Sequence, residues 1–237
     1  MIRNTLAIAG KELRIYFGSA PAYLITAVFL VITGYGFGWT SITYMETTIQ
    51  GFLGWGSFFL LFLGPALTMR LFAEEDKMGT LELLLTAPVR DIEVVLGKYL
   101  ASLGTLLIML AITLYYPLLL SWFGAPDWGP IASGYLGIFL LGAVFLSIGL
   151  FASTLTSNQI VAYVVGSALV LVLWFIGYAA GVAGDKVGAV FRYISISSYF
   201  PAFGRGIIDT NAIIYYISII VIFVFLTIRS LETRRWR

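Results

Sequence analysis

Six long apolar runs, separated by short polar or mixed stretches, divide the chain. They fall at residues 22–41, 51–72, 97–121, 131–152, 160–180 and 212–228. Each is close to the ~20 residues that an α-helix needs to cross a hydrocarbon core. In lipid a helix satisfies its own backbone, so the pattern predicts an all-α membrane protein with six transmembrane helices in a single domain, residues 1–237. Residues 1–19 read differently. Ile2, Leu6, Ala9, Leu13 and Tyr16/Phe17 recur at helical steps, with Arg3, Lys11 and Arg14 on the other side. That is the pattern of a helix lying in the membrane interface; the plainer alternative is a basic flank that only orients the first span. No compact apolar core followed by a cleavage site precedes the first span, so a cleavable signal is not expected.

Details inside the runs refine this picture. Gly34, Gly36 and Gly38 suit close helix packing in the first span. Pro65 is expected to kink the second and free a carbonyl, and Arg70 to snorkel from its end. Tyr115, Tyr116 and Trp122 form an aromatic belt at the end of the third. Residues 124–130 (G-A-P-D-W-G-P) read as a tight turn, and Asn158 and Gln159 close a short uncharged loop. Residues 181–211 mix Asp185, Lys186, Arg192, Arg205 and Asp209 with Val187, Val190, Phe191, Ile194, Ile196, Phe200 and Phe203. They are too apolar for a free loop, and predict short extracytoplasmic or re-entrant helices between spans five and six.

Composition narrows the function. The 237 residues are 60% hydrophobic and 11% charged, with mean hydropathy +0.96. Soluble domains carry about 25% charged residues. The formal net charge of +2 gives no reason to expect nucleic acid. Cysteine and histidine are both absent, which removes disulfides, thiolate metal sites and Cys or His catalysis. The acids in the connections, Glu46, Asp127, Asp185 and Asp209, make no convincing catalytic pair. Charge is nearly absent between span ends, which disfavours an ion-coupled transporter.

Lysine and arginine set the orientation. With six spans, one side collects Arg3, Lys11, Arg14, Arg70, Lys77, Arg90, Lys98, Arg229, Arg234, Arg235 and Arg237, and the other Lys186, Arg192 and Arg205. The positive-inside rule then places both termini and residues 73–96 in the cytoplasm of a multi-pass inner-membrane protein.

That 73–96 segment lies in the longest charged stretch, Leu71 to Lys98, which holds Glu74, Glu75, Asp76, Glu82, Asp91 and Glu93. Thr80 can cap a short helix, with Glu82 in its first turn and Leu81, Leu84 and Leu85 as an apolar stripe. Pro88 ends it. Asp91 can cap the helix that follows, and Arg70 can pair with Glu74 one turn on. Acids after the end of a cytoplasmic helix oppose both its dipole and an anionic leaflet. A docking element for another protein accounts for them; a solvated loop with a helix resting on the membrane is the alternative.

The run E-E-D-K-M-G-T-L-E-L-L-L-T-A-P-V-R-D-I-E-V-V-L-G-K resembles the signature that follows the second span in ABC-2 type transporter permeases. The amphipathic start, six spans and long fifth-to-sixth connection are also similar. The segments L-F-A-S-T-L-T-S-N-Q-I and S-L-E-T-R-R-W-R resemble the gliding-motility-associated (GldF-like) branch. The resemblance implies a permease subunit of an ATP-driven exporter or flippase, working beside a second permease subunit of the same or a related chain. It implies a cytoplasmic coupling helix that contacts a separate ABC ATPase subunit, through Glu74, Glu75, Gly79, Thr80, Glu82, Leu83, Leu84 and Pro88. Gly97-Lys98 would mark where the loop re-enters the membrane. The gliding branch would add an extracytoplasmic auxiliary subunit. In such permeases the fifth span faces the pathway, where Tyr163, Ser167 and Trp174 share a helix face; ordinary packing is the other reading of that face. ATP and Mg would sit on the partner, with no cofactor in this chain. A P-loop reads G-x-x-x-x-G-K-[ST], whereas here Tyr99 follows Gly97-Lys98 and Ile occupies position 92. The competing readings are a secondary transporter or channel subunit not driven by ATP, and a purely structural membrane anchor.

Overall fold

The computed structural model describes residues 2–44, 48–81, 89–182 and 184–235. Among them the regular structure is entirely helical. In chain order it comprises α1 (Ile2–Phe17), α2 (Ala20–Tyr44), α3 (Gln50–Thr68), α4 (Arg70–Lys77), α5 (Asp91–Thr113), α6 (Tyr115–Phe123), α7 (Trp128–Ser153) and α8 (Gln159–Phe175). A 3₁₀ helix at Ile176–Gly181, then α9 (Asp185–Ile194), a 3₁₀ turn at Ile196–Ser198, α10 (Phe200–Gly204) and α11 (Thr210–Arg235) complete it. Among the described residues six helical stretches are long and apolar enough to cross a membrane: Ala20–Thr43, Gln50–Lys77, Asp91–Phe123, Trp128–Ser153, Gln159–Gly181 and Thr210–Thr233.

α7 occupies the centre. Its most apolar window is 78% buried, against 17% for α11 at the periphery. A helix apolar on every side is suited to that place. α3, α5, α8, α10 and α11 pack around it, and its glycines let them come close. Gly134 receives Leu53 of α3, Gly137 receives Phe203 of α10, and Gly142 receives Leu106 of α5. At Gly149 an added Cβ would overlap Thr68 and stand 2.8 Å from Pro65 Cα. The Pro65 turn is therefore nested against α7. α3 ends just after it, and one turn residue, Met69, leads into α4.

The stretch between the fifth and sixth apolar helices folds as short helices. α9 rests on the preceding 3₁₀ helix through Gly188, where any Cβ would strike the Ala180 carbonyl. The carbonyl of Trp174, near the end of α8, accepts from Ser195 Oγ at 3.1 Å and Ser197 Oγ at 2.8 Å. Those serines serve a carbonyl that the change from α to 3₁₀ geometry makes available. At the other end of α8, Asn158 Oδ1 accepts from Ile160 N–H at 2.9 Å, an ordinary N-cap that ends the loop as its composition suggests.

Candidate functional site

α1 lies along the first half of α5. Thr5, Ala9, Glu12 and Tyr16 form its buried face, and this spacing is one helical stripe. Arg3, Lys11 and Arg14 lie on the opposite side, while Ile2 and Leu6 remain 76% and 59% exposed. The face turned to the protein is thus more polar than the apolar spacing of residues 2–17 suggests, because it carries an acid. The fit to α5 depends on Gly97, where a Cβ would stand 2.7 Å from Ile8 Cγ2.

The acid on that face has a partner one residue further along α5. Lys98 is 1% exposed. Its Nζ donates to Glu12 Oε1 of α1 at 3.0 Å, to Glu75 Oε1 of α4 at 2.8 Å and to the Leu71 carbonyl at 2.8 Å. An ammonium has three protons, and each finds an acceptor here. The Phe72 ring lies 5.2 Å away. Burying an ammonium is tolerable only when it is paired and hydrogen-bonded, as this one is. Lys98 therefore pins three helices at one point: α1, α4 and α5.

Arg70 extends the cluster. Its guanidinium sits 4.3 Å from the centre of the Tyr16 ring and donates to Ser19 Oγ at 3.0 Å. It turns to the end of α1, where the sequence suggests a pairing with Glu74. The Tyr16 hydroxyl donates to the Leu67 carbonyl, and burial pushes its phenol pKa upward, so it stays a neutral donor.

Both approaches to residues 82–88 are anchored. On the upstream side Gly79 ends α4 at φ +71, in the left-handed region that favours glycine. Its N–H reaches the Asp76 carbonyl at 3.1 Å. Thr80 lies in the next helical turn and donates through Oγ1 to the Glu75 carbonyl at 3.3 Å, so its hydroxyl reaches back into the turn before it. Leu81 is 4% exposed. On the downstream side α5 begins at Asp91, with Arg90 in an extended conformation before it. Glu93 Oε2 accepts from the Arg90 backbone N–H at 3.0 Å, half of a capping box. The same oxygen accepts from Asn4 Nδ2 of α1 at 3.3 Å. α1 thus bridges the two shoulders of the segment.

Of the residues picked out in the sequence, Glu74, Glu75, Gly79 and Thr80 come together on the upstream shoulder. Glu82, Leu83, Leu84 and Pro88 lie outside the described residues. On α8, Ser167 is 7% exposed and its Oγ is buried without a hydrogen-bond partner among the described residues. Tyr163 is half-buried. Trp174 packs edge-on against Phe145 at 6.1 Å. Glu12, Asn4 and Lys98 as a binding residue were not singled out in the sequence. Their signal was there: a lone acid inside an apolar helical stripe, and a lone lysine two turns into an apolar helix.

The family model of ABC-2 family transporter proteins matches residues 40–229, well over half of the chain. The chain belongs to the ABC-2 transporter family. As an ABC-2 permease subunit it is a multi-pass membrane protein and a transport component that is not itself the catalytic one. Membership implies an ABC ATPase as partner. The match includes α4, the 82–88 segment and Lys98 but begins after α1, so α1's place in this permease rests on the contacts described above. No curated protein matches the chain.

Proposed function

We propose that this ABC-2 permease is driven by ATP hydrolysed on a separate ABC ATPase, which grips the 73–96 segment from the cytoplasm. The observation that carries the reading is the Lys98 centre. It joins α4, on the upstream shoulder of the segment, to α1 and to the span helix α5 that follows. A push on such a segment is passed to packed helices as a rigid-body shift. Glu74, Glu75, Gly79, Thr80, Glu82, Leu83, Leu84 and Pro88 form the coupling surface in this reading. Glu75 and Gly79 also shape the shoulder beneath it.

In the same reading both termini are cytoplasmic, ATP and Mg are held by the ATPase, and α1 rides in the interface. A second permease subunit, of the same or a related chain, completes the transporter. The cargo moves outward, as in an exporter or flippase. Tyr163, Ser167 and Trp174 are the pathway candidates on α8; the Ser167 hydroxyl, without a partner among the described residues, is free to take one there. The C-terminal run S-L-E-T-R-R-W-R supports assignment to the gliding-motility-associated branch, with an extracytoplasmic auxiliary subunit.

Co-purification tests the coupling. Tagged chain extracted from native membranes should bring an ABC ATPase with it. Leu84→Asp or Glu82→Arg should abolish that capture while membrane insertion is unchanged. An undiminished, fully coupled ATPase with either variant refutes the assignment.

A further inference from the structure

A cleft of about 600 Å³ opens between α1, α4 and the start of α5. Two charged side chains on its wall each hold one atom that is buried and has no hydrogen-bond partner among the described residues: Arg70 Nη2, a donor, and Glu75 Oε2, an acceptor. A buried charged group left partly unpaired is costly, so a site of this kind is completed by something that fits it. The two orphans ask for opposite things. Arg70 of α4, with Lys11 of α1 also lining the cleft, calls for an anion; Glu75, with Glu74 beside it, calls for a cation that can donate N–H bonds. One molecule carrying a phosphate and a primary ammonium answers both.

The rim says where that molecule comes from. Ile15 and Met78 line the cleft and are 46% and 62% exposed. On α1 Lys11 stands one turn before Ile15 on the cleft side, with exposed Arg14 beside it. Apolar residues beside a basic face are suited to the boundary between headgroups and acyl chains. We propose that the cleft binds the headgroup of phosphatidylethanolamine from the leaflet on the side of the 73–96 segment. Its phosphate meets Arg70 and Lys11, its ammonium meets Glu74 and Glu75, and its tails leave past Ile15 and Met78. A choline headgroup has no N–H to donate, and a glycerol headgroup has no positive charge, so both are poorer fits.

The test uses the full chain in detergent, stripped of lipid and with no ATPase present. Its failure would leave the coupling reading untouched. Dihexanoyl phosphatidylethanolamine, phosphatidylcholine and phosphatidylglycerol are titrated in turn, together with tail-less glycerophosphoethanolamine. The ethanolamine lipid should bind at least about tenfold more tightly than the other two lipids, the scale of one charge-assisted hydrogen bond. Glu74→Gln should narrow its advantage over the choline lipid. Lys11→Gln should weaken all three lipids alike. Thermal unfolding of both variants is followed in parallel to show that they remain folded. Equal binding of the three lipids overturns the proposal, as does indifference to both substitutions. Equal affinity for the tail-less compound overturns the lipid as its source.

Discussion

The Lys98 ammonium has three protons to place, and the acceptors come from two different helices outside its own. Glu12 and Glu75 are correspondingly dependent on it, since their side chains are only 8% and 15% exposed. Removing the cation alone leaves two carboxylates in a dry place. Breaking a buried pair in this way costs about 3–5 kcal/mol, whereas replacing all members by neutral groups is often close to neutral. Lys98→Met should therefore lower the thermal unfolding temperature in detergent markedly, and Lys98→Met combined with Glu12→Gln and Glu75→Gln should recover most of the loss. Equal destabilisation of single and triple variants would mean that Lys98 acts by packing. At this scale the sequence was least transparent. Lys98 sits in a G-K pair that also reads as a membrane boundary. Glu12 lies 86 positions away, a pairing that only the close approach of α1 to α5 creates.

At the scale of elements, the seating of α1 is the feature on which the site depends. Gly97 gives Ile8 room, and Leu13 lies over Gly104, 3.2 Å from where a Cβ would be. Gly97→Val would drive Ile8 off α5 and separate Glu12 from Lys98. In a chain without native cysteine, an Ala9→Cys probe on the buried face should react slowly with a thiol reagent. It should react much faster when Gly97→Val is added; an unchanged rate would show that α1 stays seated. The helical spacing of residues 2–17 made the existence of α1 legible. Its buried stripe was less so, because Thr5 and Glu12 face inward while Ile2 and Leu6 do not. The helix leading into the third apolar stretch was legible from Asp91 and Glu93; the difference is that Asp91 is its first residue and Arg90 the cap, whose N–H donates to Glu93.

Across the whole molecule, hydrophobicity alone marks six membrane-length helices, because lipid leaves the backbone few other options. It does not reveal which helix is central. That follows from where glycines allow close approach, and α7 has them at 134, 137, 142 and 149. Orientation follows from charge, and is open to a direct check. Thr233→Cys should be labelled by a membrane-impermeant thiol reagent only from the cytoplasmic side, and Lys186→Cys only from the opposite side. Labelling of both from one side would remove the proposed topology.

The claim at the centre of this account is that the 73–96 segment is held by an ATPase. A photo-crosslinking amino acid placed at position 84 in living cells, with position 186 as control, measures that contact most directly. An adduct whose partner carries a P-loop is expected at 84 but not at 186. An ATPase adduct at 186 with none at 84 would contradict it.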